Sequence, residues 1–136
     1  MIQQVSFSIR PFPRGFHVIT DLVLKAVGTL PEQGLFQLFI LHTSAGICIN
    51  ENADSDVLRD FEYILDRLVP ENDANYRHQL EGPDDMPAHV KSTMIGHSIL
   101  IPITNHALNL GVWQGIYLGE FRDRASGRNF VATCWS

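Results

Sequence analysis

The sequence has little of what defines several large classes of protein. Two cysteines in 136 residues are too few for the disulfide framework of a small secreted domain. No apolar run approaches the ~18 residues that a transmembrane helix requires. The first residues show no basic region followed by an apolar stretch, so we expect no signal peptide and a cytoplasmic protein.

Positive charge is also scarce. The ten Lys and Arg residues face fifteen Asp and Glu, which gives a net charge of -5. The basic residues are scattered along the chain and form no patch, which argues against nucleic acid or a membrane surface as the main partner. The sequence contains neither a glycine-rich phosphate loop nor a nucleophile elbow.

The remaining composition is that of an ordinary globular domain. Hydrophobic residues make up 45% and charged residues 18% of the chain, and the length predicts one domain over residues 1–136. Cys48 and Cys134 both lie in apolar, strand-like sequence. We expect them to be buried thiols.

Alternating polar and apolar residues predict about seven strands. The segment 35–41 is almost continuously apolar, so we expect it to be covered on both faces or to lie in an interface. Segments 114–121 and 129–135 are expected to form a closing hairpin around the turn at 124–127.

Two or three helices accompany these strands. The clearest one is capped by Asn52, Asp54 or Ser55 and ends before Pro70. Its predicted core face comprises Val57, Phe61, Ile64 and Leu68. A short helix precedes it near residues 20–26, and another is predicted from about Pro87 to Ile95. The pattern predicts an α+β fold with a mixed, mainly antiparallel sheet.

The richest polar segment is 76–89, which reads YRHQLEGPDDMPAH. His78 and His89 flank a turn, so both side chains can point into one cavity. Together with His42, which follows the apolar strand, they are the candidate ligands of a divalent metal, with zinc as the first choice. An ordinary hydrogen-bonding role is the alternative for each histidine.

Carboxylates and hydroxyls near these histidines are candidates for acid–base catalysis. They are Glu51, Glu81, Asp84 and Thr93, with His42 as a further member. Thr93 lies one helical turn after His89 and shares its face. The alternative for the aspartates is a cap of the helix that begins near Pro87, and we favour that role for Asp85.

A phosphorylated ligand would need cations and a pocket wall. Arg77 and Lys91 are the candidates for binding its phosphate group. Trp113 with Gln114 is the candidate for one wall of the pocket, and a place in the core is the alternative for Trp113. Glu120 lies in an otherwise apolar strand. It therefore requires a partner such as Arg122, a pocket or a neighbouring subunit.

Five segments occur in an order that is typical of one family. They read HTSA, INENAD, YRHQLEGPDDMPAHVKS, IPITN and LGVWQGIYLGEFRD, within residues 38–123. On these segments the sequence resembles the YjbQ-like family of small bacterial and archaeal proteins, also described as secondary thiamine-phosphate synthases.

The resemblance implies a homotrimer with a polar cleft at or near the subunit interfaces. It also implies a weak transferase activity that joins hydroxymethylpyrimidine diphosphate to thiazole phosphate and gives thiamine phosphate. Two alternatives stay open. The cleft either binds a small phosphorylated metabolite without transforming it, or its polar residues only hold the subunits together.

Overall fold

Eight strands and three helices make up the fold in the computed structural model, which describes residues 1–136. This confirms the α+β class. In chain order the elements are β1 Ile2–Ile9, β2 Gly15–Val18, α1 Thr20–Val27, β3 Gln33–Ile40, β4 Ala45–Glu51, α2 Ser55–Leu68, α3 Asp85–Ile95, β5 Ser98–Thr104, β6 Ala107–Leu108, β7 Gln114–Glu120 and β8 Arg128–Trp135. None of the helices is long and apolar enough to cross a membrane.

The strands form two sheets, and every pair is antiparallel. One sheet has the order β1-β8-β3-β5-β6, and the other has the order β2-β7-β4. The predicted closing hairpin of β7 and β8 is wrong, because these strands belong to different sheets. The turn after β7 carries the chain from one sheet to the other, where β8 pairs with both β1 and β3.

Three layers result from this topology. The inner faces of the two sheets share the main core, in which Phe36, Leu38 and Ile47 are almost fully buried. The other face of the three-stranded sheet is covered by α2 and α3. There Leu65 of α2 packs in one cluster with Tyr117 of β7.

The core face of α2 differs from the predicted one by a small rotation of the helix. Leu65 is its buried residue, whereas Ile64 and Leu68 are 50% and 63% exposed. The helix carries apolar residues on two adjoining stripes, so periodicity alone did not distinguish them. Its predicted cap is confirmed, since Oδ1 of Asp54 accepts a hydrogen bond from the backbone N–H of Asp56 at 2.9 Å.

Strand β3 is covered on one face only within a single chain. Phe36, Leu38 and Ile40 are buried, while Leu35 on the opposite face is 43% exposed. Leu100 of β5, which lies across from Gln37 on that face, is 58% exposed. The outer face of the five-stranded sheet therefore presents apolar side chains to its surroundings.

Glu120 finds its partner in Arg128 and not in the predicted Arg122 side chain. The Nε of Arg128 donates to Oε1 of Glu120 at 2.7 Å, and its Nη2 donates to Oε2 at 2.5 Å. The Glu120 side chain is fully buried and the Arg128 side chain is 7% exposed. This bidentate pair joins the end of β7 in one sheet to the start of β8 in the other.

Removing the negative charge of Glu120 should destabilise the fold. The substitution Glu120→Gln leaves the buried guanidinium of Arg128 without a counter-ion, and we expect a loss of about 3 kcal/mol in the free energy of unfolding. Urea denaturation at a fixed protein concentration measures it. The control is Arg59→Gln, which removes an exposed ion pair at 3.9 Å and should cost less than about 1 kcal/mol. Equal midpoints for the two variants would contradict the assignment.

Candidate metal centre

The centre is built around the first turn of α3. Gly82, with φ of 107°, allows the chain to reverse before the helix, and Pro87 lies in its first turn as predicted. Asp84 occupies the N-cap position, yet its side chain makes no capping hydrogen bond. The predicted capping role of the aspartates is therefore wrong, because both carboxylates are engaged by Arg122.

Arg122 binds three groups of the segment that leads into α3. Its Nε donates to Oδ2 of Asp84 at 2.8 Å, and its Nη1 donates to Oδ1 of Asp85. Its Nη2 donates to the backbone carbonyl of Glu81 at 3.0 Å. The backbone N–H of Asp123 adds a hydrogen bond to Asp84 at 2.9 Å. The end of β7 thus fixes the position of both aspartates.

Two histidines converge on the remaining oxygen of Asp85. The Nε2 of His78 lies 2.6 Å from Oδ2 of Asp85, and the Nε2 of His89 lies 3.0 Å from the same oxygen. Asp85 is 1% exposed. The three donor atoms lie within 4.8 Å of one another, a spacing that can hold a metal ion.

The hydrogen bonds of His89 determine which of its ring nitrogens carries a proton. Its Nδ1 lies 2.8 Å from the backbone carbonyl of Thr43, and a carbonyl only accepts, so Nδ1 is protonated. In neutral His89 the lone pair on Nε2 then faces an acceptor oxygen of Asp85. These two acceptors repel unless a second proton or a metal ion lies between them.

The charge of Asp85 is stabilised by its surroundings. Burial alone would raise the pKa of Asp85, but the hydrogen bond from His78 and the positive charge of Arg122 outweigh it. The pKa therefore lies below its ordinary value. Burial of Asp84 is likewise outweighed by hydrogen bonds from the Asp123 backbone and Arg122, which lower its pKa. Asp85 is thus present as an anion, the form that binds a cation.

His42 does not join this group of donors, although the sequence predicts it as a ligand. Its Nε2 accepts a hydrogen bond from the backbone N–H of Asn129 at 2.8 Å. His42 instead lines a cleft that also contains His89 and Thr93. The hydroxyl of Thr93 donates to the carbonyl of His89 at 3.0 Å. The candidate metal group thus differs from the predicted one in its third member, which is Asp85.

The two predicted phosphate-binding cations have opposite environments. Lys91 is 2% exposed, and its Nζ donates to Oδ1 of Asp66 at 2.6 Å. The same oxygen accepts from Arg14 at 2.7 Å, so Lys91 belongs to a structural ion-pair network and its amino group is withheld from a ligand. Arg77 is exposed and has no ion-pair partner.

The other predicted site residues lie apart from the histidines. Glu51 ends β4 and is paired with Gln114, at the opposite end of that strand from Ala45, whose carbonyl binds Ser92 of α3. Trp113 lies beside Gln114 and is 63% exposed. Within one chain these three residues form no wall of the metal centre. Glu81 is exposed and contributes its backbone carbonyl.

Sequence reasoning missed Arg122 and the ligand role of Asp85. The dipeptide Asp84-Asp85 could have predicted a nearby cation such as Arg122, because two adjacent carboxylates at the start of a helix repel each other unless a cation lies close to them. His89 four residues after Asp85 supplied a second signal, since residues at that spacing share one helix face.

Proteins with this fold and this polar segment form a recognisable class. The family model described as "UPF0047 protein YjbQ-like" matches residues 5–136. The UPF0047 protein YjbQ of Salmonella typhimurium is 45% identical over 135 residues, which cover 98% of this chain and 97% of that protein. The UPF0047 protein YjbQ of Escherichia coli O157:H7 is 42% identical with the same coverage. The chain therefore belongs to the UPF0047 family of YjbQ-like proteins.

Solved structures agree with this assignment. A YjbQ/UPF0047 family protein from Clostridium acetobutylicum superposes with a TM-score of 0.84 at 40% identity, covering 96% of this chain and 99% of that one. The conserved hypothetical protein TT1486 from Thermus thermophilus superposes with a TM-score of 0.82 at 34% identity, covering 93% and 97% of the two chains.

Proposed function

We propose that this protein is a metal-dependent enzyme that acts on a small phosphorylated molecule at the centre formed by His78, Asp85 and His89. The divalent metal is zinc in this proposal. The observation that carries it is the 3.0 Å contact between Nε2 of His89 and Oδ2 of Asp85, which are both acceptors when His89 is neutral. A cation between them converts a repulsive contact into two bonds.

The donor set supports a catalytic rather than a structural metal. Two histidines and one carboxylate leave a fourth position of zinc open, which is the arrangement of catalytic zinc sites. The Nδ1–H of His89 also donates a hydrogen bond to a backbone carbonyl, as the second ring N–H of zinc-bound histidines commonly does. A metal held in this way would polarise an oxygen of the ligand or activate a bound water.

The scarcity of free cations defines how a phosphate group would be bound. Lys91, Arg122 and Arg128 are all occupied by carboxylates, so the metal itself supplies most of the positive charge for a phosphorylated ligand. Arg77 adjoins His78 in the chain and has a free guanidinium. It is the residue we assign to a second contact with the phosphate.

Formation of thiamine phosphate is the specific reaction that the family resemblance suggests. We propose it as a weak activity of this site. A dedicated enzyme for this transfer would hold a diphosphate with several cations and magnesium, whereas one free arginine adjoins the present centre. Two free thiols, Cys48 and Cys134, are consistent with the cytoplasmic location that belongs to this proposal.

Elemental analysis of protein purified without chelator tests the metal proposal. We expect about one zinc per chain, with loss of zinc in His78→Ala/His89→Ala and at least a tenfold weaker zinc affinity in Asp85→Asn. The control is His17→Ala, because His17 only binds the carbonyl of Pro13. Calorimetry in buffers of different ionisation enthalpy counts the protons that zinc displaces, and it separates a metal that fills an empty contact from one that replaces a second proton on the His89 ring.

A different result would separate the alternatives. Absence of zinc from the unaltered protein, together with no binding when zinc is added to it, would refute the metal centre. Zinc binding accompanied by thermal stabilisation from phosphorylated pyrimidines or thiazoles, but without product, would support a binding protein instead of an enzyme.

The role of Arg77 can be tested with inorganic phosphate on the zinc-loaded protein. We expect Arg77→Ala to weaken phosphate binding by about tenfold, the loss of about 1.4 kcal/mol that accompanies removal of a charge-assisted hydrogen bond. Calorimetric titration measures the dissociation constant. The matched control is Arg59→Ala, which removes an exposed arginine of α2. Equal effects of the two substitutions would show that Arg77 makes no direct contact.

We further propose that three copies of the chain assemble through the outer face of the five-stranded sheet. The homotrimer is the state that the family resemblance suggests. Leu35 and Leu100 are 43% and 58% exposed, and both lie on that face. Assembly would bury this apolar area and account for the nearly continuous apolar sequence of β3.

Placing a charge on this face should dissociate the assembly. We expect light scattering after size exclusion to give three times the chain mass of 15.3 kDa for the unaltered protein, and a smaller species for Leu100→Lys. The control is Leu80→Lys, because Leu80 is fully exposed in a loop. A trimer that persists in Leu100→Lys would place the interface elsewhere.

A further inference from the structure

A cleft of about 710 Å³ is lined by His89 but not by His78. The end of β3 and helix α3 form its walls, and it contains three histidines, namely His42, His89 and His97. Phe39 and Leu41 give it apolar surface. The cleft therefore adjoins the proposed metal centre at His89, and it combines apolar walls with a few polar groups, as small-molecule sites do.

His42 is held in one tautomer by the backbone. The N–H of Asn129 donates to Nε2 of His42 at 2.8 Å, and a backbone N–H can only donate. Nε2 therefore keeps its lone pair, and the ring proton lies on Nδ1. This nitrogen makes no hydrogen bond with another group of the protein. Because no buried side-chain nitrogen or oxygen lacks a hydrogen-bond partner, Nδ1 of His42 is accessible, and His42 is one of the residues that line the cleft.

The buried ion pair beside His42 favours the neutral ring. Burial lowers the pKa of His42, and the positive charge of Arg128 lowers it further, against the opposing effect of Glu120. Arg128 also binds Ser44, with its Nη1 at 3.1 Å from Oγ, so the guanidinium is fixed on the strand that supplies the Asn129 N–H. A protonated His42 would have to break that backbone hydrogen bond.

We propose that His42 is a fixed, uncharged hydrogen-bond donor that orients the ring portion of the ligand within this cleft. Its Nδ1–H binds a ring nitrogen or carbonyl oxygen, while Phe39 and Leu41 contact the apolar part of the same ring. A fixed neutral donor suits an uncharged acceptor of this kind. The inference deepens the proposed function, since it places the ring of the ligand on one side of His89 and the reacting group at the metal.

Nitrogen-15 NMR of histidine-labelled protein tests this directly. We expect the two-bond correlations of His42 to show the Nδ1–H tautomer at neutral pH, with or without zinc, and added zinc to shift the signals of His78 and His89. His106 is an internal reference, because its Nδ1 also carries the proton that binds the carbonyl of Leu30 at 3.0 Å.

Two uncharged rings then test the ligand contact. Titration with pyrimidine, which has nitrogen acceptors, should move the Nδ1–H resonance of His42 downfield and leave that of His106 unchanged. Benzene has the same size but no acceptor and should cause no such shift. In His42→Gln, the side-chain oxygen can still accept from Asn129 while the Nδ1–H is lost, so pyrimidine affinity should fall about tenfold with an unchanged zinc content.

Each outcome decides a separate question. An Nε2–H tautomer or a protonated ring at neutral pH would overturn the inference, as would a His42 resonance that pyrimidine does not move or a His42→Gln variant with unchanged pyrimidine affinity. Failure of zinc to bind would refute the proposed metal centre, whereas a fixed Nδ1–H that responds to pyrimidine would still establish His42 as a ligand contact.

Discussion

The ion pairs of Arg122 with Asp84 and Asp85 are the interaction on which the rest of the site depends. Arg122 closely follows β7, and both aspartates lie at the start of α3. One guanidinium therefore connects the central strand of the three-stranded sheet to the helix that carries His89. It also fixes one oxygen of Asp85, so that the other oxygen faces the two histidines.

Other buried cations of the fold are also paired with carboxylates, which leaves few cations free to bind a ligand. Arg128 pairs with Glu120 between the two sheets, and Lys91 pairs with Asp66 between the two longer helices. A buried charge without a partner is costly, so these cations cannot be released to a phosphate group. In the proposed function, a metal ion held by His78, Asp85 and His89 would for this reason supply most of the positive charge for an anionic ligand.

Local sequence signals predicted the elements well and their partners poorly. The positions of β3, α2 and α3 follow from a nearly continuous apolar run, an aspartate cap, and the positions of Pro87 and Gly96. The sequence did not predict that β7 and β8 belong to different sheets. A turn motif indicates that the chain changes direction, but it does not indicate which strand the next segment pairs with. The burial of one stripe of α2 over another likewise depends on the packing of the whole domain.

The candidate site shows the same division. The polar segment 76–89 was predicted as the centre, and it supplies all three donor atoms of the metal group. Arg122 was missed because it is more than thirty residues away in the sequence and is adjacent only after β7 pairs with β4. His42 lies apart from the other two histidines and accepts a hydrogen bond from one backbone N–H of β8. A backbone contact of this kind cannot be predicted from the pattern of side chains in the sequence.

Crystallography of the zinc-loaded protein at the zinc absorption edge would locate the metal. We expect an anomalous peak bonded to Nε2 of His78, Nε2 of His89 and Oδ2 of Asp85, with Arg122 retained on the other oxygen of Asp85. We also expect His42 to keep its hydrogen bond to the backbone of Asn129. An anomalous peak on His42, or zinc bound only at surface carboxylates with both histidines still on Asp85, would contradict the proposed metal centre.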